Sequence, residues 1–115
     1  MPSAGWASKF APVGSNPIAA SGQTASLRND GSVLEVGGIS SAMFHTSNSG
    51  AALFAPELDG FTAAGSLNTS RGFHTATALA DGTVLIVGGT RRYCPVLSCF
   101  NGTHTIHLSS AELFK

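Results

Sequence analysis

The chain has 115 residues, of which 43% are hydrophobic and only 10% are charged, and its six basic residues balance six acidic ones. This length allows one domain, and so low a charge content excludes the composition of a disordered chain. Because Arg91 and Arg92 form the only basic cluster, we expect neither nucleic acid nor an anionic membrane surface as a partner.

The amino terminus lacks a basic segment followed by an apolar run, and the longest strongly apolar run, residues 84–87, is far too short to span a bilayer. We therefore expect no export signal and no membrane anchor in this sequence. A longer parent protein could still be secreted, so the localisation stays open.

The chain contains an internal repeat. Residues 23–38 align with residues 74–89 without a gap, at an offset of 51 residues that also extends upstream. A later match, between residues 51–54 and residues 111–114, needs a longer offset, which places about nine extra residues in the second copy. Self-similarity at such a period is typical of repeat architectures.

Each copy carries an Asp-Gly pair and, further along, a pair of glycines. Asp30-Gly31 and Asp81-Gly82 lie between two β-prone runs, and Asp-Gly is a strong signal for a tight hairpin because both residues tolerate positive φ. Gly37-Gly38 and Gly88-Gly89 end those runs, where a side chain would obstruct a tight bend or the approach of another backbone. The sequence predicts two hairpins whose second strands end at a double glycine.

The second copy reads GSLNTSRGFHTATALADGTVLIVGG over residues 65–89 and SAELF over residues 110–114. This pattern resembles the kelch repeat, in the form found in galactose-oxidase-like propellers. The first copy is a weaker match and has, for example, Ala20 in place of Arg71. The resemblance implies an all-β fold built from antiparallel, four-stranded kelch β-propeller blades.

Carried onto this sequence, the family pattern implies the following division. Residues 1–22 would hold the outer strand of a preceding blade and a linker, residues 23–65 a complete blade, and residues 66–115 an incomplete next blade with a long loop at residues 90–107. The implied strands are residues 23–28, 32–37, 50–55 and 60–65 in the first copy and residues 74–79, 83–88 and 109–114 in the second.

About one full blade with parts of two neighbours does not close a propeller, which needs about four to eight blades. The sheet faces at the ends of the array are then uncovered, so self-association through exposed blade faces is expected. The chain is either a segment of a longer propeller or a subunit that completes a ring with copies of itself, and the sequence leaves both open.

The resemblance also implies structural roles for Arg71 and His74. An arginine at this position leads into the inner strand, where its guanidinium donates to backbone carbonyls between blades; the alternative is that it faces the central channel and contacts an acidic ligand. His74 is expected to pack rather than to act in catalysis. Glu35 stands where the second copy has Ile86, and we expect it at a blade edge or rim, where Arg28, the nearest basic residue across the hairpin, could pair with it.

Cys94 and Cys99 lie in the long loop of the second copy. They would form a disulfide in an exported protein and remain thiols in a reducing cytosol. His104 and His107 form the most suggestive pair for a metal, but residues three apart on an extended strand point to opposite faces, so we expect no metal site.

Galactose-oxidase-like enzymes hold copper with tyrosine and histidine ligands from distant parts of a much longer chain, and one tyrosine is crosslinked to a cysteine. Here the only tyrosine, Tyr93, is next to Cys94, so no copper ligand and no other cofactor or catalytic residue is assigned. The favoured function is a structural and interaction module whose loops, above all residues 90–107, bind a protein or a glycan. The alternative is a non-catalytic piece of a galactose-oxidase-like copper oxidase.

Overall fold

A computed structural model describes residues 10–17, 20–40, 45–94 and 102–115. This part of the chain is all β, and its sheets are antiparallel, as predicted. None of its helices is long and apolar enough to cross a membrane. The elements are β1 (Ala20–Ser21), β2 (Thr24–Leu27), β3 (Val33–Val36), β4 (Ile39–Ser40), β5 (Gly50–Ala55), a 3-10 helix (Pro56–Leu58), β6 (Gly60–Ser66), β7 (Thr75–Ala78), β8 (Val84–Val87), β9 (Thr90–Tyr93), β10 (His104–His107) and β11 (Ala111–Phe114).

Sheet I has the strand order β2-β3-β5-β6, with every neighbouring pair antiparallel. The turn between β2 and β3 is held by Asp30, whose Oδ1 accepts hydrogen bonds from the Ser32 backbone N–H at 2.9 Å and from its hydroxyl at 2.6 Å. Gly31 follows with a φ of 90°. Local side-chain bonding of this kind favours a turn over a continued strand, so the hairpin forms where the sequence predicts it.

Sheet II repeats this design with the strand order β11-β8-β7. Asp81 Oδ1 accepts from the Thr83 N–H at 3.1 Å and from the Thr83 hydroxyl at 2.6 Å, and Gly82 has a φ of 92°. The expected strands are present in both sheets, each within about two residues of its expected bounds. The similar sequences of the two copies thus form the same type of turn and the same pairing of their first three strands.

The two sheets pack against each other through different faces. In β3, Leu34 and Val36 are buried, whereas in β8 the buried side chains are Val84 and Ile86, and all four belong to one hydrophobic cluster. At the repeat offset, Leu34 corresponds to Leu85 and not to either buried residue of β8. We call the side bearing Leu34 and Val36, with its equivalent in sheet II, face a, and the opposite side face b. The core therefore joins face a of sheet I to face b of sheet II.

Short ribbons extend the chain beyond each double glycine. The strand β4 pairs with β1 after the first double glycine, and β9 pairs with β10 after the second. Residues 90–107, expected as one long loop, therefore begin and end in paired strands, while residues 95–101 lie outside the described residues. The outer strand is expected within residues 1–22, of which residues 1–9 and 18–19 lie outside the described residues and residues 10–17 contain no strand.

The double glycines have the backbone geometry that only glycine adopts readily. Gly37 and Gly88 have φ values of 69° and 71°, and their N–H groups donate to the carbonyl oxygens of Gly50 and Ser110. A Cβ on Gly37 would collide with the Arg71 carbonyl oxygen and lie 2.8 Å from Cε1 of the His74 ring. The second strand of sheet I therefore ends where the segment leading into sheet II passes close to its backbone.

We predict that Gly37→Ala destabilises the fold more than Gly65→Ala. Both positions have positive φ, but a Cβ at Gly65 meets no atom within 4 Å, so this control carries only the conformational cost of about 1–2 kcal/mol. The collision at Gly37 adds roughly 1–3 kcal/mol. Urea unfolding measures both variants, and equal losses would show that the close approach does not matter.

Candidate functional site

The most constrained polar group of the described chain is the guanidinium of Arg71, which lies between β6 and β7 and is fully buried. Its Nη1 donates to the carbonyl oxygens of Gly88 at 3.1 Å and Ser110 at 2.9 Å. Its Nη2 donates to the Ser110 hydroxyl and to Glu112 Oε2, both at 3.1 Å. The planar fork thus connects the strand ends of sheet II, as an arginine with its five donors can and a lysine cannot.

The backbone of Arg71 binds the other sheet. Its carbonyl oxygen accepts from the Gly38 N–H at 2.8 Å, and its own N–H donates to the Asn48 carbonyl at 3.2 Å. The side chain therefore holds sheet II while the main chain holds the end of sheet I. The guanidinium thus bonds within sheet II rather than between the sheets, and its donors face protein acceptors, as a structural role requires.

Glu112 completes this network. Its two carboxylate oxygens accept from the backbone N–H groups of Asn68 at 2.7 Å and Thr69 at 2.9 Å, in addition to Arg71. Burial by itself raises the pKa of Glu112, but these two N–H groups and the Arg71 charge together hold that pKa below its usual value. The carboxylate stays ionised and fixes the loop that precedes Arg71.

His74 lies at the same junction and is buried. Its Nε2 is 2.8 Å from the Thr24 hydroxyl oxygen, across the sheet boundary, and its Nδ1 has no hydrogen-bond partner among the described residues. Burial lowers the pKa of His74, the nearby Arg71 charge lowers it further, and the Val36 backbone opposes this only in part. A neutral, packed imidazole is therefore the stable form.

The expected edge or rim position of Glu35 is wrong, and Arg28 does not pair with it among the described residues. Glu35 lies in the centre of sheet I, directly opposite Ala25 and Ala52, on face b and not at a rim. Arg28 instead reaches the turn of sheet II, where Nε donates to the Gly82 carbonyl at 3.2 Å. The physical reason is the alternation of side chains along a strand. Since Leu34 and Val36 on either side of Glu35 face the core, Glu35 lies on the opposite face of sheet I.

Two further contacts hold the Arg28 side chain in this position. Its Nη1 is 3.3 Å from Asp30 Oδ2, and its guanidinium carbon lies 5.2 Å from the centre of the Phe114 ring. Arg28 thus spans the sheets at the end opposite to Arg71. The Asp-Gly turns, predicted only as hairpins, also contribute to the contact between the two sheets.

An open cleft lies beside the Arg71 network and has a volume of about 310 Å³. Its lining is mainly hydroxyl and amide side chains with one cation: Ser49, Leu67, Asn68, Thr69, Ser70 and Arg91. The Ser70 hydroxyl is 2.6 Å from that of Ser47, which places it firmly in the wall. The cleft is thus polar, rigid on one side, and bordered by a positive charge.

The ribbon of β9 and β10 extends the cleft with an aromatic surface. The guanidinium carbon of Arg91 is 4.7 Å from the centre of the Tyr93 ring, and the ring of His104 contacts Tyr93 edge-on at 5.8 Å. Register places Arg91 opposite Ile106 and Tyr93 opposite His104, so these side chains share one ribbon face. Sequence reasoning missed this group, because its only signal was period-2 alternation in two short polar strands.

His104 and His107 are paired with Tyr93 and Thr90 and lie three residues apart on one strand. Among the described residues, no three histidine, cysteine or acidic side chains are arranged to hold a metal ion. Cys94 is disulfide-bonded, while Cys99 lies outside the described residues, so their pairing stays a prediction.

Among known proteins, similarity is found to solved structures. No family model matches the chain, and no curated protein matches it. The chain is similar to a fungal alcohol oxidase of the AA5 family, solved in complex with copper, at 22% identity and a TM-score of 0.49. The similarity covers 62% of this chain and 15% of that one, so the chain spans a small part of the oxidase's length.

We predict that Arg71→Ala costs about 3–5 kcal/mol of the free energy of unfolding, because it removes one partner of a buried ion pair and takes a donor away from the Gly88 and Ser110 carbonyls, of which Ser110 keeps the Gly88 N–H. Arg91→Ala serves as the control and should cost less than about 1 kcal/mol, because its stacking on Tyr93 lies near the surface. Urea unfolding measures both. An Arg71→Ala cost as small as that of the control would contradict a structural role.

We predict that stability falls as pH is lowered from about 7.5 to 5.5. The folded pKa of His74 lies below the unfolded value of about 6.5, so the unfolded chain binds a proton at this residue at a higher pH than the folded chain does. Acidification therefore stabilises the unfolded state relative to the folded state. The stability that the neutral His74 contributes is thus fully present above the unfolded pKa, and it declines as the pH falls until the folded pKa is reached. Thermal melts should show a smaller pH effect in His74→Gln, and an unchanged effect would assign it to other groups.

Proposed function

We propose that the chain is a kelch-type propeller segment that acts as an interaction module and holds an acidic glycan in the cleft beside Arg91. The observation that carries this proposal is the cleft itself, about 310 Å³ in volume, with a polar lining and a single guanidinium at its border. Ligand sites of this size combine a shaped concavity with a few fixed polar groups.

The lining matches the chemistry of a sugar. Hydroxyl and amide groups from Ser49, Asn68 and Ser70 can exchange hydrogen bonds with sugar hydroxyls, while Leu67 offers an apolar contact for the C–H face of a ring. The guanidinium of Arg91 suits a carboxylate or sulfate group, which it can bind through two parallel hydrogen bonds. An acidic sugar satisfies all three features.

The cleft is also preorganised. The backbone of Asn68 and Thr69 is held by Glu112, which is itself held by Arg71. A wall that is already fixed does not lose conformational entropy when a ligand binds, and this favours affinity. The propeller assignment is supported by the two sheets, which share turn chemistry and strand pairing and pack face a on face b.

The test is a glycan array with neutral and acidic oligosaccharides, followed by titration calorimetry with a glucuronate-containing oligosaccharide. We predict binding to acidic sugars and a loss of about tenfold or more in Arg91→Ala, since a charged hydrogen bond contributes about 1.5–3 kcal/mol. Arg92→Ala is the matched control, because its side chain occupies the other face of the same ribbon. It should change affinity less than twofold.

Three results would contradict the proposal. These are the absence of binding to any acidic glycan, equal losses in the two arginine variants, and binding of acidic peptides in place of sugars. The last result would keep the cleft as an interaction site but replace its ligand class with a protein segment.

A further inference from the structure

The packing of the two sheets leaves one face of each repeat unused. Face a of sheet I covers face b of sheet II, so face b of sheet I and face a of sheet II have no partner sheet within the described chain. These two unused faces are the sequence equivalents of the two that already pack together. Val33 stands where the second repeat has Val84, and Leu85 stands where the first has Leu34.

Both unused faces are apolar. Face b of sheet I bears a shallow hollow of about 260 Å³ lined by Val13, Ala25, Val33, Glu35, Phe54 and Phe61. On face a of sheet II, Val87 is 39% exposed and Leu113 is 43% exposed, although both are strand residues in the middle of the repeat. Neighbouring exposed apolar side chains of this kind mark an interaction surface.

A comparison of Phe54 with its equivalent in the second repeat shows that the hollow lacks a covering sheet. Its equivalent in the second repeat is Phe114, which packs against the core cluster between the two sheets. Phe54 instead contacts Phe61, with ring centroids 5.3 Å apart, and borders the open hollow. The same side chain therefore has a covering sheet in one repeat and none in the other.

We propose that a second copy of this chain docks head-to-tail, with face a of its sheet II on face b of sheet I. The contact would reproduce the one already present inside each chain, because the same repeat positions meet in the same order. Such a contact is heterologous: each copy offers one face and keeps the other free, so further copies can add. This interface is separate from the glycan cleft.

Glu35 sets the strength of this contact. The second repeat has Ile86 at the position equivalent to Glu35. Its own acidic residue, Glu112, lies opposite Ile86 on the neighbouring strand and forms an ion pair with Arg71. Glu35 is half-buried and has no hydrogen bond or ion pair within the described residues. Docking would bury its charge against apolar residues, which is unfavourable. The proposed self-association is therefore weaker than the internal contact.

The test is sedimentation velocity on the full chain over a concentration series. The wild type should show a mass that rises with concentration. Ala25→Glu blocks face b of sheet I, and Val87→Glu blocks face a of sheet II; each should weaken association at least tenfold. Leu58→Glu is the control, because Leu58 is an exposed apolar residue on the 3-10 helix, and it should leave association unchanged.

Mixing the two blocked variants is the decisive step. Each still has one intact face, so an equimolar mixture should form a one-to-one dimer that neither variant forms alone. A mixture that stays monomeric would overturn the head-to-tail geometry. A monomeric wild type at every concentration would overturn self-association, and would indicate that the chain covers its own faces.

A gain of association gives an independent check that does not depend on disruptive charges. Glu35→Ile restores the residue of the second repeat and should tighten association about tenfold, whereas Glu57→Ile, an equal change on the exposed 3-10 helix, should not. Equal effects of the two variants would show that any added surface hydrophobicity promotes association, and would contradict the assignment of face b of sheet I as the docking face. Circular dichroism establishes folding, and Thr77→Glu replaces Val87→Glu if that variant unfolds.

Discussion

The structure depends on the buried guanidinium of Arg71. A charged group removed from water must have its donors satisfied, and here the Gly88 and Ser110 carbonyls and Glu112 do so within sheet II. Because the Arg71 main chain is bonded at the same time to Gly38 and Asn48, one residue positions both sheets. Gly37 and Gly89 follow from this constraint, since the segment that carries Arg71 passes too close to both for any side chain.

The same ion pair links structure to the proposed cleft. Glu112 accepts hydrogen bonds from two backbone N–H groups of the loop that lines the cleft, so the carboxylate that pairs with Arg71 also holds this part of the cleft wall. The proposed docking faces lie on the broad sides of the sheets, bounded by Val33 in one and Val87 in the other. The proposed glycan site and the proposed docking faces therefore use different residues.

Local chemistry made the hairpins predictable from sequence. Asp30 and Asp81 each accept a hydrogen bond from the residue two positions on, and such turn-forming bonds depend on residues adjacent in sequence. The choice of buried face was not predictable, because Glu35 and Ile86 occupy equivalent positions, yet Ile86 lies in the core between the sheets and Glu35 lies on a face with no partner sheet in the described chain. Nor was the grouping of Arg91 with His104, which depends on the register of two strands separated by a long connection.

Native-state hydrogen exchange tests most directly whether the Arg71 network joins the two sheets into one cooperative unit. The account predicts that the Gly38 amide, bonded to the Arg71 carbonyl, and the Asn68 and Thr69 amides, bonded to Glu112, exchange with the same opening free energy as the amides of β3 and β8. Rapid exchange of these three amides while both sheets remain protected would show that the sheets hold together without this network, and would contradict the account.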